Sequence, residues 1–114
     1  MRVTTALWVS AYVRRAFVEG AFAAVTKRGA EEAGAIFVVV DRLDGNFDLY
    51  GQAPQSAFGG GRPADRLFTR IAGGIDRAAL AKRLAAEQRF DPDLWIVERE
   101  QRDGRAMLEL ADEG

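Results

Sequence analysis

The sequence predicts an α+β fold, a mainly antiparallel sheet of about five strands with two helices packed on it. Three observations carry this. The run Ala35 to Val40 is β-branched and nearly unbroken, as in a central strand covered on both faces for part of its length. Turn signals at Asp44-Gly45-Asn46, Gly73-Gly74 and Asp91-Pro92-Asp93 cut the chain into strand- and helix-length segments. Strands group around two helical segments instead of alternating regularly with them, which favours helices gathered on one face of a sheet over a parallel βαβ array. No linker or internal repeat divides the chain, so residues 1–114 are expected to form a single domain.

Each element has its own justification. Over 6–16, Leu7, Val9, Ala11 and Val13 alternate with Trp8, Ser10, Tyr12 and Arg14, the period of a strand. Over 17–28, Val18, Phe22 and Val25 fall at helical spacing, with Lys27 and Arg28 in the last turn and Gly29 as the stop. Residues 35–42 form the central strand, Asp44-Gly45-Asn46 turns the chain, and Phe47 to Gly51 returns it as a hairpin. Residues 52–64 are a loop rich in Gly, Pro, Gln and Ser. Residues 66–72 fit either period. Leu67, Thr69 and Ile71 alternate, whereas Leu67, Phe68 and Ile71 could line a helix, and the fresh start after Gly73-Gly74 favours the strand.

Asp76 is a suitable N-cap for a helix running to about Arg89, with Leu80 and Leu84 on its buried stripe. Leu94 to Glu100 is a strand with Trp95, Val97 and Arg99 on one face. Asp103-Gly104 permits a short further edge strand at Met107 to Leu110. The expected order is β-α-β-β-β-α-β. The sheet face left without helices would carry the aromatic and polar residues, and Phe37, Val39, Leu84 and Ile96 are expected in the core.

Composition narrows the chemistry. The chain has no histidine and no cysteine, which removes the side chain that titrates nearest neutrality, the thiolate nucleophile and the usual ligands of zinc, haem and iron–sulfur clusters. No cofactor and no metal are expected. Net charge is −1, so no global basic field favours nucleic acid. Of 16 basic residues only Lys27 and Lys82 are lysine, a bias that a GC-rich genome explains more readily than a demand for bidentate contacts. Thr4, Thr5 and Ser10 interrupt the first apolar run, so a signal peptide is not expected. The longest apolar run falls far short of the ~20 residues of a membrane span, and a cytoplasmic location is the simplest expectation.

The segments Leu7-Trp8-Val9-Ser10-Ala11-Tyr12-Val13-Arg14-Arg15, Arg28-Gly29-Ala30-Glu31-Glu32-Ala33-Gly34-Ala35-Ile36-Phe37-Val38 and Arg89-Phe90-Asp91-Pro92-Asp93-Leu94-Trp95-Ile96-Val97-Glu98 resemble those of a family of small bacterial proteins catalogued only as a domain of unknown function. The resemblance covers nearly the whole chain. It implies a bacterial, soluble, single-domain protein and carries over no activity and no site residues.

Several constellations are candidates for function. Trp8, Tyr12, Arg14 and Arg15 form the strongest surface, joined by Trp95 and Arg99, because aromatic and arginine side chains dominate binding hot spots and arginine over a ring suits anionic or stacked ligands. A sheet face partly covered by a helix, with arginine stems along the aromatics, accounts for the same residues. Gly59-Gly60-Gly61-Arg62 could present backbone amides and Arg62 to a phosphate, but the continuation Pro63-Ala64-Asp65 is not that of a P-loop. Asp41 to Asp48 resembles a calcium loop only superficially. Counted from Asp44, the sixth position is Leu49 and the twelfth Gln55, where glycine and glutamate are required. Asp41, Glu98 and Glu100 lie near the ends of strands expected to be adjacent. They offer acid/base chemistry if their environments split their pKa values, or else serve as cross-strand partners of Arg42 and Arg99.

The leading expectation is a non-enzymatic binding or adaptor module acting through protein–protein contact, as a homodimer or with another protein. The alternative is a protein binding a small anion or nucleotide, with or without enzymatic use of its carboxylates, with Arg14, Arg15 and Arg62 supplying charge and residues 52–64 a lid. Nucleic acid is a remote third.

Overall fold

The fold is that of a computed structural model, which describes residues 3–53 and 66–111. Its elements are α1 (Thr5–Val18), β1 (Phe22–Lys27), β2 (Ile36–Asp41), β3 (Phe47–Gln52), β4 (Phe68–Ile75), α2 (Arg77–Phe90) and β5 (Trp95–Glu100). The five strands make one sheet in the order β1-β5-β2-β3-β4. All neighbours are antiparallel except β5 and β2, which run parallel. Parallel neighbours need a crossover, and α2 supplies it on the way from β4 to β5. The α+β class, the mainly antiparallel sheet and the two helices stand as expected from the sequence.

The opening of the chain does not. Residues expected as a strand form α1, and half of those expected as a helix form β1, so the order is α-β-β-β-β-α-β. The reason lies in capping and in which residues are buried. Thr4 is the N-cap, its hydroxyl accepting from the Leu7 amide. Thr5, Val9, Tyr12 and Ala16 are buried, spaced four, three and four apart, which is one stripe of a helix. Gly20, with φ of 85°, ends the helix. Its amide donates to Phe17, and the Ala21 amide reaches back to Ala16 at 2.8 Å, the paired bonds of a Schellman motif. Strand propensity in the aromatic and β-branched residues of 6–16 yields to this packing.

Gly29 therefore does not stop a helix. A Cβ there would collide with the carbonyls of Asp93 and Leu94, so glycine lets the loop after β1 lie against the turn before β5. The Ala30 amide donates to Asp93 and the Trp95 indole to Ala30 across the same contact.

The remaining elements follow the expected reading. Leu43 (φ 64°) and Gly45 (φ 90°) turn the β2–β3 hairpin, with the carboxylates of Asp41 and Asp44 accepting from the Leu43 and Asn46 amides. Residues 68–75 are a strand, and the Asp76 carboxylate caps α2 through the Ala79 amide at 2.8 Å. The expected edge strand at Met107 to Leu110 reduces to one bridge, Leu110 running parallel to Phe68.

The helices lie on opposite faces of the sheet, not on one. Val9 and Tyr12 of α1 pack with Ile36, Val38, Val40, Tyr50, Trp95 and Val97, while Leu80 of α2 packs with Val39, Phe47, Leu49, Leu94 and Ile96. The alternation of β2 and β5 feeds both cores, which is why the central strand is apolar without interruption. Val39 and Ile96 are buried as expected, whereas Phe37 and Leu84 are half-buried against the α2 core. The aromatic and arginine residues thus lie beneath and along α1, and no bare sheet face carries them.

Candidate functional site: the cleft between α1 and the C-terminal segment

After β5 the chain turns at Asp103-Gly104 and runs back over the α1 side of the sheet as segment 101–111. Three bonds hold this segment. The buried Tyr12 hydroxyl donates to the Ala106 carbonyl at 2.6 Å. The Phe68 amide donates to Glu109, and the Ala111 amide to Phe68, each at 2.8 Å. Between α1 and the segment lies a groove of about 400 Å3 lined by Trp8, Ala11, Tyr12, Arg15, Glu19, Arg66 and Met107 to Glu109. A second groove of about 390 Å3 continues from it and shares Glu19 and Met107. Its walls are Gly20, Ala21, Glu100, Gln101, Arg102 and Arg105, with Arg99 beneath. Met107, at φ 58°, is held in the left-handed region that costs a non-glycine residue energy.

The side chains are ordered by contact. Trp8 stacks on Tyr12 with ring centroids 5.3 Å apart and planes 8° from parallel, and also meets the Phe68 ring at 5.3 Å. The Arg99 guanidinium, only 2% exposed, lies 5.7 Å from the centre of the Tyr12 ring. It donates from Nη2 to Glu19 at 3.2 Å and from Nε to Gln101 at 3.1 Å. Arg66 donates from Nη2 to the Val3 carbonyl. The Tyr12 pKa is raised, chiefly because burial disfavours the phenolate, with Arg99 opposing the shift. Its hydroxyl is therefore a proton donor across the physiological range, matched to the carbonyl it holds.

Nearly the whole chain matches a known family. Residues 3–109 fit the family described as "Protein of unknown function (DUF1491)". The chain belongs to this family. Its fold is similar to the solution structure of a protein from A. tumefaciens, at 44% identity and a TM-score of 0.84, over 100% of this chain and 98% of that one. It is also similar to a DUF1491 protein from Caulobacter crescentus. The crystal structure gives 35% identity and a TM-score of 0.77 over 95% and 98% of the two chains; the NMR structure gives 35% and 0.78 over 99% of each. No curated protein matches the chain.

The structure sorts the residues singled out in this DUF1491 sequence. Trp8, Tyr12, Arg15 and Arg99 come together at the cleft. Arg14 is exposed and lines neither groove. Trp95 belongs to the α1-side core at 1% exposure, with Arg28 over its ring at 4.9 Å, and is a packing residue. Arg62, the glycine run 59–61 and all of the suggested lid beyond residue 53 lie outside the described residues.

Asp41 and Glu100 are register partners on β2 and β5, as adjacency required. The three carboxylates nevertheless have separate jobs or places: Asp41 holds the hairpin turn, Glu98 meets Arg77 at 3.4 Å, and Glu100 lines a groove wall. The arginines expected to pair with them pair elsewhere. Arg42 grips the buried Asp48 through two bonds of 2.9 and 2.7 Å, and Arg99 takes Glu19. Among the described residues no cluster of three or more acidic side chains could hold a metal ion, and no helix is long and apolar enough to cross a membrane.

Glu19, Arg105 and Met107 were not among the sequence candidates. Glu19 carried a usable signal, since it precedes the helix-ending Gly20. The path of 101–111 over α1 had none, because no local pattern specifies a long-range return.

Proposed function

We propose that this chain is a non-enzymatic binding module of the bacterial cytoplasm, acting through protein–protein contact at the cleft between α1 and segment 101–111. The paired grooves carry this reading. They adjoin through Glu19 and Met107, and their combined concavity suits a segment of another protein. Its lining supports the same conclusion: Trp8 and Tyr12 are stacked anchors, Arg15 and Arg66 are planar donors, and Met107 is an adaptable apolar contact. The carboxylates that could have done acid/base work are dispersed among turn, ion pair and groove wall.

Photo-crosslinking tests this. A photoreactive amino acid at Ala11, on the groove wall, should give a discrete adduct in the native cytoplasm that excess unlabelled protein competes away. The same group at the exposed Ala85 of α2 should not. Equal labelling from both positions would overturn the assignment.

The groove volume also passes the ~300 Å3 at which small-ligand sites begin, so a small anion or nucleotide is the second reading. A nucleotide or phosphorylated metabolite that raises the melting temperature by mass action would replace the first reading with the second. Association with a second copy belongs to the same proposal. β1 is the sheet edge on the α1 side, with Phe17, Val18 and Phe22 exposed beside it, an open strand flanked by apolar side chains.

A further inference from the structure

We infer that the buried guanidinium of Arg99 is a receptor for a carboxylate, and that Glu19 occupies it as an internal stand-in until a carboxylate of the bound segment displaces it. This rests on the proposed protein-binding cleft and names the chemistry of what enters it: a segment bearing Asp or Glu side chains.

Among the described residues, two arginine–carboxylate pairs have a nearly inaccessible member, and they are built differently. Arg42 and Asp48 are joined by two bonds, at 2.9 and 2.7 Å. Asp48 is 1% exposed and also accepts from the Gly74 amide at 2.9 Å. That pair is closed. In the other the arginine is the buried partner, 2% exposed, while Glu19 is 33% exposed and contacts it through one bond of 3.2 Å. A guanidinium taken out of water is stabilised best by a fork of two parallel bonds to one carboxylate, and Glu19 does not provide it.

Glu19 is also poorly placed for a permanent partner. It is the C-cap of α1, where the helix carbonyls present partial negative charge and disfavour a carboxylate. Moving it into water removes that repulsion at little cost, because a third of the side chain is there already. Arg102 and Arg105 stand on the walls of the same groove. Arg105 is itself paired with Asp103 at 2.9 Å, while Arg15 and Arg102 also line the cleft and draw an acidic segment toward it. A monoanionic carboxylate fits this arrangement better than a phosphate dianion, which would set twice the charge against Glu19 as it enters.

The test is an NMR titration of the full-length 15N-labelled chain with an end-capped tetraglutamate peptide. The Arg99 Nε–H and Gly20 amide signals should move most, and neither the tetraglutamine peptide nor inorganic phosphate should move them. Glu19→Gln keeps an amide oxygen for Arg99 to donate to, so the fold is retained while the competing charge is gone. It should bind tetraglutamate roughly tenfold more tightly. Arg99→Lys keeps the charge without the fork and should lose binding.

Absence of peptide binding, unchanged affinity in Glu19→Gln, or equal shifts with phosphate would each overturn the carboxylate assignment. If Arg99→Lys fails to fold, Glu19→Gln still decides. Any of these failures combined with a competed Ala11 adduct removes the carboxylate site and leaves the protein-binding cleft. Loss of that adduct as well removes the cleft.

Discussion

Tyr12→Phe is the sharpest probe of the cleft, because one hydroxyl joins α1 to a segment 94 residues later in the chain. The substitution keeps the ring, and with it the stack on Trp8 and the surface over which Arg99 lies. It removes the bond to Ala106 and leaves a carbonyl in a buried residue with no donor there. A buried hydrogen bond contributes about 1 kcal/mol net, and stranding its acceptor raises the loss, so about 1–3 kcal/mol is expected. For a chain of this size each kcal/mol lowers Tm by roughly 4–8 °C. Urea denaturation gives the free energy, and amide exchange at Ala111, which donates to Phe68 from the same segment, reports whether the segment has loosened.

The pH dependence adds an independent arm. The Tyr12 pKa is raised in the folded state, so the unfolded chain releases this proton first. Stability is full below about pH 10, the ordinary tyrosine value, and falls as pH rises through the folded value. Part of that fall should vanish in Tyr12→Phe; the rest includes Tyr50, which burial and then the Asp48 charge also raise. A variant as stable as wild type, with unchanged exchange at Ala111 and an unchanged alkaline limb, would show that Tyr12 does not hold the segment.

Three further outcomes are expected. Leu80→Ala empties a fully buried site under α2 and should cost about 2–5 kcal/mol, with Leu84→Ala, half-buried, costing less; denaturant midpoints that reverse this order would misplace the α2 core. Asp48→Asn removes the charge facing Arg42 and should cost about 1–3 kcal/mol by thermal melting, below the 3–5 of a fully buried pair because the Arg42 side chain is 32% exposed and can reach water. If copies associate through β1, sedimentation velocity should show a dimer that Phe22→Glu dissociates, and a strict monomer over a wide concentration range would exclude it.

The later two thirds of the fold were legible because local signals there agree with each other. The β-branched run of β2, the Asp-Gly turn, the Asp76 cap and the alternation of β5 each specify one state. The first third was not, because its signals conflict. Leu7, Val9, Ala11 and Val13 alternate, but the residues that pack against the sheet are Thr5, Val9, Tyr12 and Ala16. Only the tertiary partner decides which pattern is used. Two glycines add to the conflict. Gly29 sits where a helix stop would be but is required by close backbone approach, and Gly20, the true stop, lies inside a run whose Val18, Phe22 and Val25 mimic a helical stripe.

The candidate site survived a wrong element for a geometric reason. Residues four apart share a face in a strand, whose period is 2, and nearly share one in a helix, whose period is 3.6. Trp8 and Tyr12 therefore stay together whichever element forms, and the observed stack is at that spacing. The two readings part at the next arginines. Arg14 is two residues from Tyr12 and shares its face only in a strand; Arg15 is three away and seven from Trp8, which is co-facial only in a helix. The structure puts Arg15 on the groove wall and leaves Arg14 outside it. Arg99 keeps its place because the alternation of β5 is unambiguous, with Trp95, Val97 and Arg99 on the face that α1 covers. What no sequence pattern offered is the other wall. Segment 101–111 is positioned by Tyr12 and Phe68 from far along the chain, so the concavity that makes the aromatic and arginine residues a site exists only in the folded protein.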